Sequence, residues 1–181
     1  MIWRLILKLI SLQHYNHIFL DRDGIINHVV MRGSVIGSPR TMDEFVIRPE
    51  FLLFYRRIPK NVDLFVVTNQ PDISRGLMEL SVLKEMHDML NKSFNFLSIE
   101  FCGHDNDDLC LCRKPKPGMI KTLVEQFALN KEKSIMIGDS MKDISCAFNA
   151  GIESVLLATD YNKDNVPKDV RAVSNFNQLT F

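Results

Sequence analysis

His17 to Asn27 reads HIFLDRDGIIN, an apolar run, Ile18-Phe19-Leu20, stopped by Asp21 and Asp23 and then by Gly24. A short apolar run that ends at a polar turn reads as a buried strand. In an open parallel α/β sheet, ligands sit in the crevice beyond the carboxyl ends of the strands. Two carboxylates at that edge repel each other unless a cation or a shared proton lies between them. The pair therefore points to a hard metal, with Asp21 as a nucleophile and Asp23 as acid and base. The rival reading is an Asx turn or a helix N-cap, which accounts for one Asp and the Gly.

Working outward, three further apolar runs repeat the pattern. Leu64 to Val67 ends in Thr68-Asn69-Gln70, Ser134 to Ile137 ends in Gly138-Asp139, and Ser154 to Leu157 forms another strand. Ser98 to Cys102 reads as a strand, and Ala172-Val173 as a short edge strand. Helices are expected between them: from Pro49 to the Pro59 stop, from a Ser81 cap to about Asn95, from Gly118 to about Leu129, and from Asp139 to Asn149 with Gly151 as C-cap. Residues 28–48 are too long for a plain turn, and a small hairpin or flap over the site is expected there. Alternation of strand and helix gives an α/β fold, a Rossmann-like three-layer sandwich with a central parallel sheet. No large cap domain is visible in the sequence. Three strands ending in D-x-D, T-N and G-D place their polar residues on one sheet edge.

The chain of 181 residues is long enough for one domain with a sizeable core. Its 22 basic and 22 acidic residues balance, which argues against a nucleic-acid binder driven by bulk charge. Residues 1–16 stand apart as an extension before a domain at 17–181. Ile2, Leu5, Ile6, Leu9 and Ile10 fall at helical spacing with Arg4 and Lys8 opposite, so a short basic amphipathic helix is expected. It is too short and charged to span a membrane, and it lacks the cleavage site of a signal peptide. Packing on the domain is favoured over contact with a membrane surface.

At the sheet edge, Asp21 as nucleophile would form an aspartyl-phosphate, splitting one hard displacement into two easier ones. Asp23 is placed to protonate the leaving oxygen and then to activate water. Asp21, Asp139 and a carbonyl at Asp23 suit Mg²⁺, which prefers oxygen ligands. Thr68 and the Asn69 backbone can bind phosphate oxygens. Lys114 is the natural cation for the charge that builds up in the transition state. Asp143, four residues beyond Asp139, is either a carboxylate that orients Lys114 or a metal-bound water, or a plain first-turn acid. Cys102, His104, Cys110 and Cys112 form C-x-H…C-x-C, with three of the four cysteines inside one short segment. Three thiolates and an imidazole make a closed tetrahedral Zn²⁺ set, structural rather than catalytic. Incidental buried cysteines are the plainer alternative, and a disulfide competes only in an oxidising compartment.

An apolar strand with D-R-D-G, then T-N, then K-P, then G-D-S-M-K-D resembles the haloacid dehalogenase superfamily of phosphatases over roughly residues 17–160. The run C-x-C-R-K-P-x-P-G-M is similar to its heptose-bisphosphate branch, with the histidinol-phosphate branch close by. The resemblance implies a Mg²⁺-dependent, cytoplasmic, monomeric phosphatase acting on a small phosphorylated sugar. It puts the nucleophile on Asp21, the acid/base on Asp23, phosphate binding on Thr68, Asn69 and Gln70, and substrate contact and catalytic cation on Arg113 and Lys114. Metal ligation falls on Asp21, Asp23 and Asp139, and zinc on Cys102, His104, Cys110 and Cys112. A phosphate-binding module without catalysis is the alternative of another class, and it predicts loss of one of these carboxylates. The chain departs from the pattern at Pro71-Asp72, where a small residue and glycine are usual, and at Ser140, where lysine is common. Asp72 is expected to add negative charge near the phosphate site.

Overall fold

The computed structural model describes residues 9–181. Its frame is a six-stranded, wholly parallel sheet built from β2 (His17–Leu20), β5 (Asp63–Asn69), β6 (Phe96–Cys102), β7 (Ser134–Gly138), β8 (Glu153–Leu157) and β9 (Ala172–Val173). The strand order is β6-β5-β2-β7-β8-β9. The chain starts in the middle, winds outward to β6, then returns and winds the other way from β7. The switch point therefore lies between β2 and β7, where a doubly wound sheet opens its crevice. The register sets Leu20 opposite both Val66 and Ile137, so the residues following these strands emerge at one level.

Side chains alternate across a strand, and both faces of this sheet are covered, which is why its strands read as unbroken apolar runs. Ile18, Leu20, Leu64, Val66, Ile135 and Ile137 face one layer, which contains α1 (Pro49–Tyr55) and α2 (Leu80–Ser93). Phe19, Phe65, Val67 and Met136 face the other, against α3 (Gly118–Gln126) and α4 (Met141–Ala150). Phe19 stacks on Phe65 at 5.1 Å, and Phe54 of α1 stacks on Phe176 at 4.9 Å. Gly151 closes α4 in the left-handed conformation, as expected.

The 28–48 connection contains the expected hairpin, β3 (Val30–Arg32) paired antiparallel with β4 (Val35–Gly37). No cap domain is inserted after β2 or β5. Boundaries differ in detail. The second helix begins at Leu80, with Glu79 at the cap and no side-chain cap bond, so Ser81 lies inside the first turn. The first helix ends at Tyr55, before Ile58.

The N-terminal segment departs from expectation. Residues 1–8 lie outside the described residues, so the helix expected there is described only from Leu9 onward. That part is not helical. β1 (Ile10–Ser11) pairs in parallel with β10 (Leu179–Thr180), and Leu12 N–H donates to the Thr180 carbonyl at 2.6 Å. Ile10 and Leu12 are buried while Ser11 is exposed. That is the period of a strand, and it joins this segment to the main core.

Candidate active site

β2, β5 and β7 deliver their polar ends into one cavity of about 540 Å³, lined among others by Asp21, Asp23, Thr68, Asn69, Lys114 and Asp139. At its floor the Lys114 ammonium lies 2.8 Å from Asp21 Oδ1 and 2.6 Å from Asp143 Oδ1, and it donates to the Val67 carbonyl at 2.8 Å. Lys114 is 2% exposed. Burial works against its charge, but the carboxylates of Asp143 and Asp21 prevail and raise its proton affinity, so it stays an ammonium. Its backbone is fixed from the other side. Asn69 Nδ2 donates to the Lys114 carbonyl and Lys114 N–H donates to Asn69 Oδ1, both at 3.0 Å. The Asn69 side chain therefore holds the lysine, which leaves its backbone for the cavity.

Asp143 serves both roles considered for it. Its Oδ2 caps α4, accepting from Ser140 N–H at 3.0 Å and Ser140 Oγ at 2.6 Å, while Oδ1 faces Lys114. A Cβ on Gly138 would fall 2.5 Å from the Asp143 carboxyl carbon, so only glycine lets this helix start so close to the strand. Ser140 is thus occupied in capping the start of this helix.

Asp21, Asp139 and Asp143 each offer an oxygen within 4.8 Å of the others. Burial pushes Asp21 up to about 7, and the neighbouring Asp143 and Asp23 add to the shift against Lys114. Burial, with repulsion from Asp21 and Asp143, raises Asp139 well above the carboxylate range. Tyr161 Oη donates to Asp139 Oδ2, and Asn162 Nδ2 donates to the Asp139 carbonyl at 2.5 Å. Gly24 adopts φ +85°, and a Cβ there would collide with the Asp139 carboxylate and the Tyr161 hydroxyl. The glycine after the second aspartate is therefore required by close approach.

Asp23 is set apart from this cluster by its partners. Arg22, fully buried, reaches both of its oxygens at 3.1 Å, and Asn27 and Gln70 each donate to it at 2.8 Å. Burial alone would raise its pKa, but the Arg22 charge and the hydrogen bonds outweigh it and hold Asp23 ionised. Gln70 also donates to Thr68 Oγ1 at 2.9 Å, so it orients both neighbours.

Behind Arg22, its Nη1 lies 3.3 Å from His87 Nε2 on α2, and its guanidinium carbon lies 5.4 Å from the Phe45 ring centre. Burial, with help from the Arg22 charge, depresses the His87 pKa from 6.5 to about 4. The folded state thus refuses a proton that the unfolded chain accepts. Its stabilising effect is complete above about pH 6.5 and is lost as pH falls toward about 4. The expected loss is on the order of 3 kcal/mol. His87→Gln should flatten that part of the stability curve, as read from urea melts at pH 7 and pH 4.5. Equal slopes in the two proteins would rule it out.

The cysteine loop closes as the spacing suggested. Cys112 Sγ lies 3.2 Å from Cys102 Sγ and 3.3 Å from His104 Nδ1, and Cys110 Sγ lies 3.6 Å from Cys102 Sγ. All four donors fall within 4.8 Å of one another, and the cysteines are free of disulfides. Arg113 follows directly. It donates to Asn106 Oδ1 at 3.0 Å and to the His104 carbonyl at 3.1 Å, so the loop aims it at the cavity mouth.

These observations can be set against known proteins. The HAD-hydrolase-like family model matches residues 111–176. The D-glycero-beta-D-manno-heptose-1,7-bisphosphate 7-phosphatase of Helicobacter pylori (strain J99) is 36% identical over 148 residues, covering 78% of this chain and 82% of that protein. This chain belongs to the heptose-1,7-bisphosphate 7-phosphatase family. The D-glycero-alpha counterpart of Campylobacter jejuni is 32% identical over 152 residues, covering 81% and 84%. The crystal structure of D,D-heptose 1,7-bisphosphate phosphatase from B. bronchiseptica, complexed with magnesium and phosphate, superposes with a TM-score of 0.77 at 26% identity, covering 89% of this chain and 93% of that one.

Asp72 lines the cavity as expected, with two arginines set against its charge. Asp72 is 5% exposed and lies 2.7 Å from Arg40 and 3.4 Å from Arg75. These ion pairs offset its charge. Arg22, Tyr161, Asn162 and Arg40 carry no motif of their own that marks them as site residues. Arg22 sits inside the D-R-D motif, and its proximity to two acids was the available signal. The others lie in loops without periodicity.

Proposed function

We propose that this chain is a Mg²⁺-dependent phosphatase that removes the 7-phosphate of D-glycero-D-manno-heptose 1,7-bisphosphate through an aspartyl-phosphate on Asp21. The observation that carries the reading is the Lys114 ammonium held between Asp21 and Asp143, beside an ionised Asp23 in the same cavity. The relatives' names support the substrate class.

The buried carboxylates fit a hard divalent cation, because Asp21 and Asp139 crowd each other and Lys114 offsets only part of their charge. Asp21, Asp139 and the Asp23 carbonyl would hold Mg²⁺. When bound, it neutralises the carboxylates and the incoming phosphate, which would otherwise repel the nucleophile. Thr68 and the Asn69 N–H orient the phosphate. An Asp21 oxygen attacks phosphorus while the bond to the sugar oxygen breaks. Lys114 offsets the charge that builds up on the phosphoryl oxygens.

Asp23 gives the leaving oxygen its proton. Because Arg22 holds the free carboxyl ionised, Asp23 takes this proton from solvent when the phosphate dianion arrives beside it and raises its proton affinity. In the second step Asp23, again a carboxylate, takes a proton from water as the water oxygen attacks phosphorus. Phosphate leaves and Asp21 is restored. Three thiols and an imidazole at the observed spacing fit Zn²⁺ as a structural ion.

Phosphate release from a panel tests the reading: both anomers of the heptose 1,7-bisphosphate, fructose 1,6-bisphosphate and histidinol phosphate, each with Mg²⁺ or EDTA. The expected result is Mg²⁺-dependent release with a heptose bisphosphate preferred by at least about tenfold, the discrimination that one good polar contact supplies. Preference for histidinol phosphate would transfer the chain to that branch. Inactivity on all four would support the binding module.

A further inference from the structure

Three elements meet at the cavity mouth through alternating charges. Arg40 follows the β3–β4 hairpin, Asp72 and Arg75 lie in the loop after β5, and Asp105 lies in the cysteine loop. Arg40 Nε donates to Asp72 Oδ2 at 2.7 Å, and Arg75 Nη1 lies 3.4 Å from Asp72 Oδ1. Arg75 then grips Asp105 with two bonds of 2.6 and 2.8 Å. Arg113 Nη2 lies 3.8 Å from the same Asp105.

The arginines differ in what they have left to offer. Arg75 uses all three of its nitrogens on Asp72 and Asp105. Arg113 is engaged with Asn106 and the His104 carbonyl. Arg40 uses Nε on Asp72, and its two terminal nitrogens make no hydrogen bond to the described residues. It lines the cavity together with Asp21 and Thr68, and its side chain is 30% exposed. A guanidinium with one edge anchored and its terminal donors facing a cavity is a receptor for a carboxylate or phosphate.

We propose that Arg40 is a specificity-determining residue that binds the non-transferred phosphate of a sugar bisphosphate, and that Asp72 is its positioning residue. The proposal rests on the bisphosphate reading above. Asp72, nearly buried and braced by Arg75, holds the guanidinium over the mouth before substrate arrives. Less side-chain freedom is then lost on binding. The aspartate at this position, in place of the usual glycine, thereby serves anion binding through an arginine rather than opposing it. Arg40 also ties the segment after the hairpin to the loop after β5.

The test compares heptose 1,7-bisphosphate with heptose 7-phosphate, which lacks the distal group but carries the same scissile bond. Arg40→Gln should cut the preference for the bisphosphate by roughly tenfold to a hundredfold, the range of one charge-assisted hydrogen bond. The loss should appear in KM for the bisphosphate far more than in kcat. Asp72→Asn should give a smaller loss of the same kind, and adding it to Arg40→Gln should cost nothing further, because it acts through Arg40. An Arg40→Gln enzyme that keeps the wild-type preference overturns this proposal alone. A wild-type enzyme without any preference for the bisphosphate overturns the substrate reading and this proposal with it. Additive losses in the double variant overturn the positioning role of Asp72.

Discussion

Asp21→Asn is expected to abolish turnover and to make the metal-free protein more stable. The two effects have one cause. Asp21 sits beside Asp139 and Asp143 with Lys114 as the neighbouring cation, and burial with that repulsion pushes it up to about 7. A carboxylate whose folded pKa is raised binds its proton more tightly in the folded state. Its stability cost therefore begins above the ordinary value of 3.8 and is complete above about pH 7. Asparagine carries no charge and removes that cost, a gain on the order of 1–3 kcal/mol at pH 8 in EDTA. Lys114 keeps Asp143 and the Val67 carbonyl, so the floor of the site survives. Turnover should fall at least about 10⁴-fold, because an amide is no nucleophile toward phosphorus. Thermal melts with EDTA and with Mg²⁺ test the stability arm, and the gain should shrink when the cation is added to wild type. Residual activity within about a hundredfold of wild type would remove Asp21 from the nucleophile role.

The same crowding explains what the sequence disclosed. A parallel strand covered on both faces is a short apolar run, and the run stops abruptly where side chains turn from the core to the ligand crevice. At Leu20-Asp21, Val67-Thr68 and Gly138-Asp139 the apolar run gives way to polar side chains that line the cavity, so the sheet edge is legible in the sequence. The cysteine loop was legible for another reason: four soft donors in one short segment have few purposes apart from a metal. What stayed hidden depends on contacts remote in sequence. Ile10 pairs with Leu179 across nearly the whole chain, and two-residue strands carry too little pattern to show a period. Arg22 is fully buried because Asp23, His87 and Phe45 surround it from three parts of the chain. Asp72 read as a nearby negative charge, since its two arginines come from different loops. Such pairings form only when the fold brings loops together, and no local propensity announces them.

Cys110→Ser is expected to lower bound zinc well below one per chain and to cost several kcal/mol of stability, since structural zinc binding is folding free energy. The apo cluster explains the size of the effect. Burial pushes the Cys102 thiol up to about 12 and raises Cys112 as well, while hydrogen bonds from the Arg113 backbone and the other thiols lower Cys110. Cys110 is thus the thiol most readily made a thiolate, the form a metal binds. Replacing it removes the donor that costs least to ionise and leaves the two costliest. Chelation should destabilise wild type and barely affect the variant.

The consequences for activity should divide within the loop. Lys114 remains tied by the two Asn69 bonds and by its ammonium contacts. Among the described residues, the Arg113 side chain is held by Asn106, the His104 carbonyl and Asp105, all inside the loop. Loosening the loop therefore releases the substrate contact before the catalytic cation, and KM should rise more than kcat falls. Metal analysis, melts with and without chelator, and the two kinetic constants test each step. Stoichiometric zinc with an unshifted melt in Cys110→Ser would exclude the four-ligand site. A loss confined to kcat would show that the loop acts through Lys114 instead of Arg113.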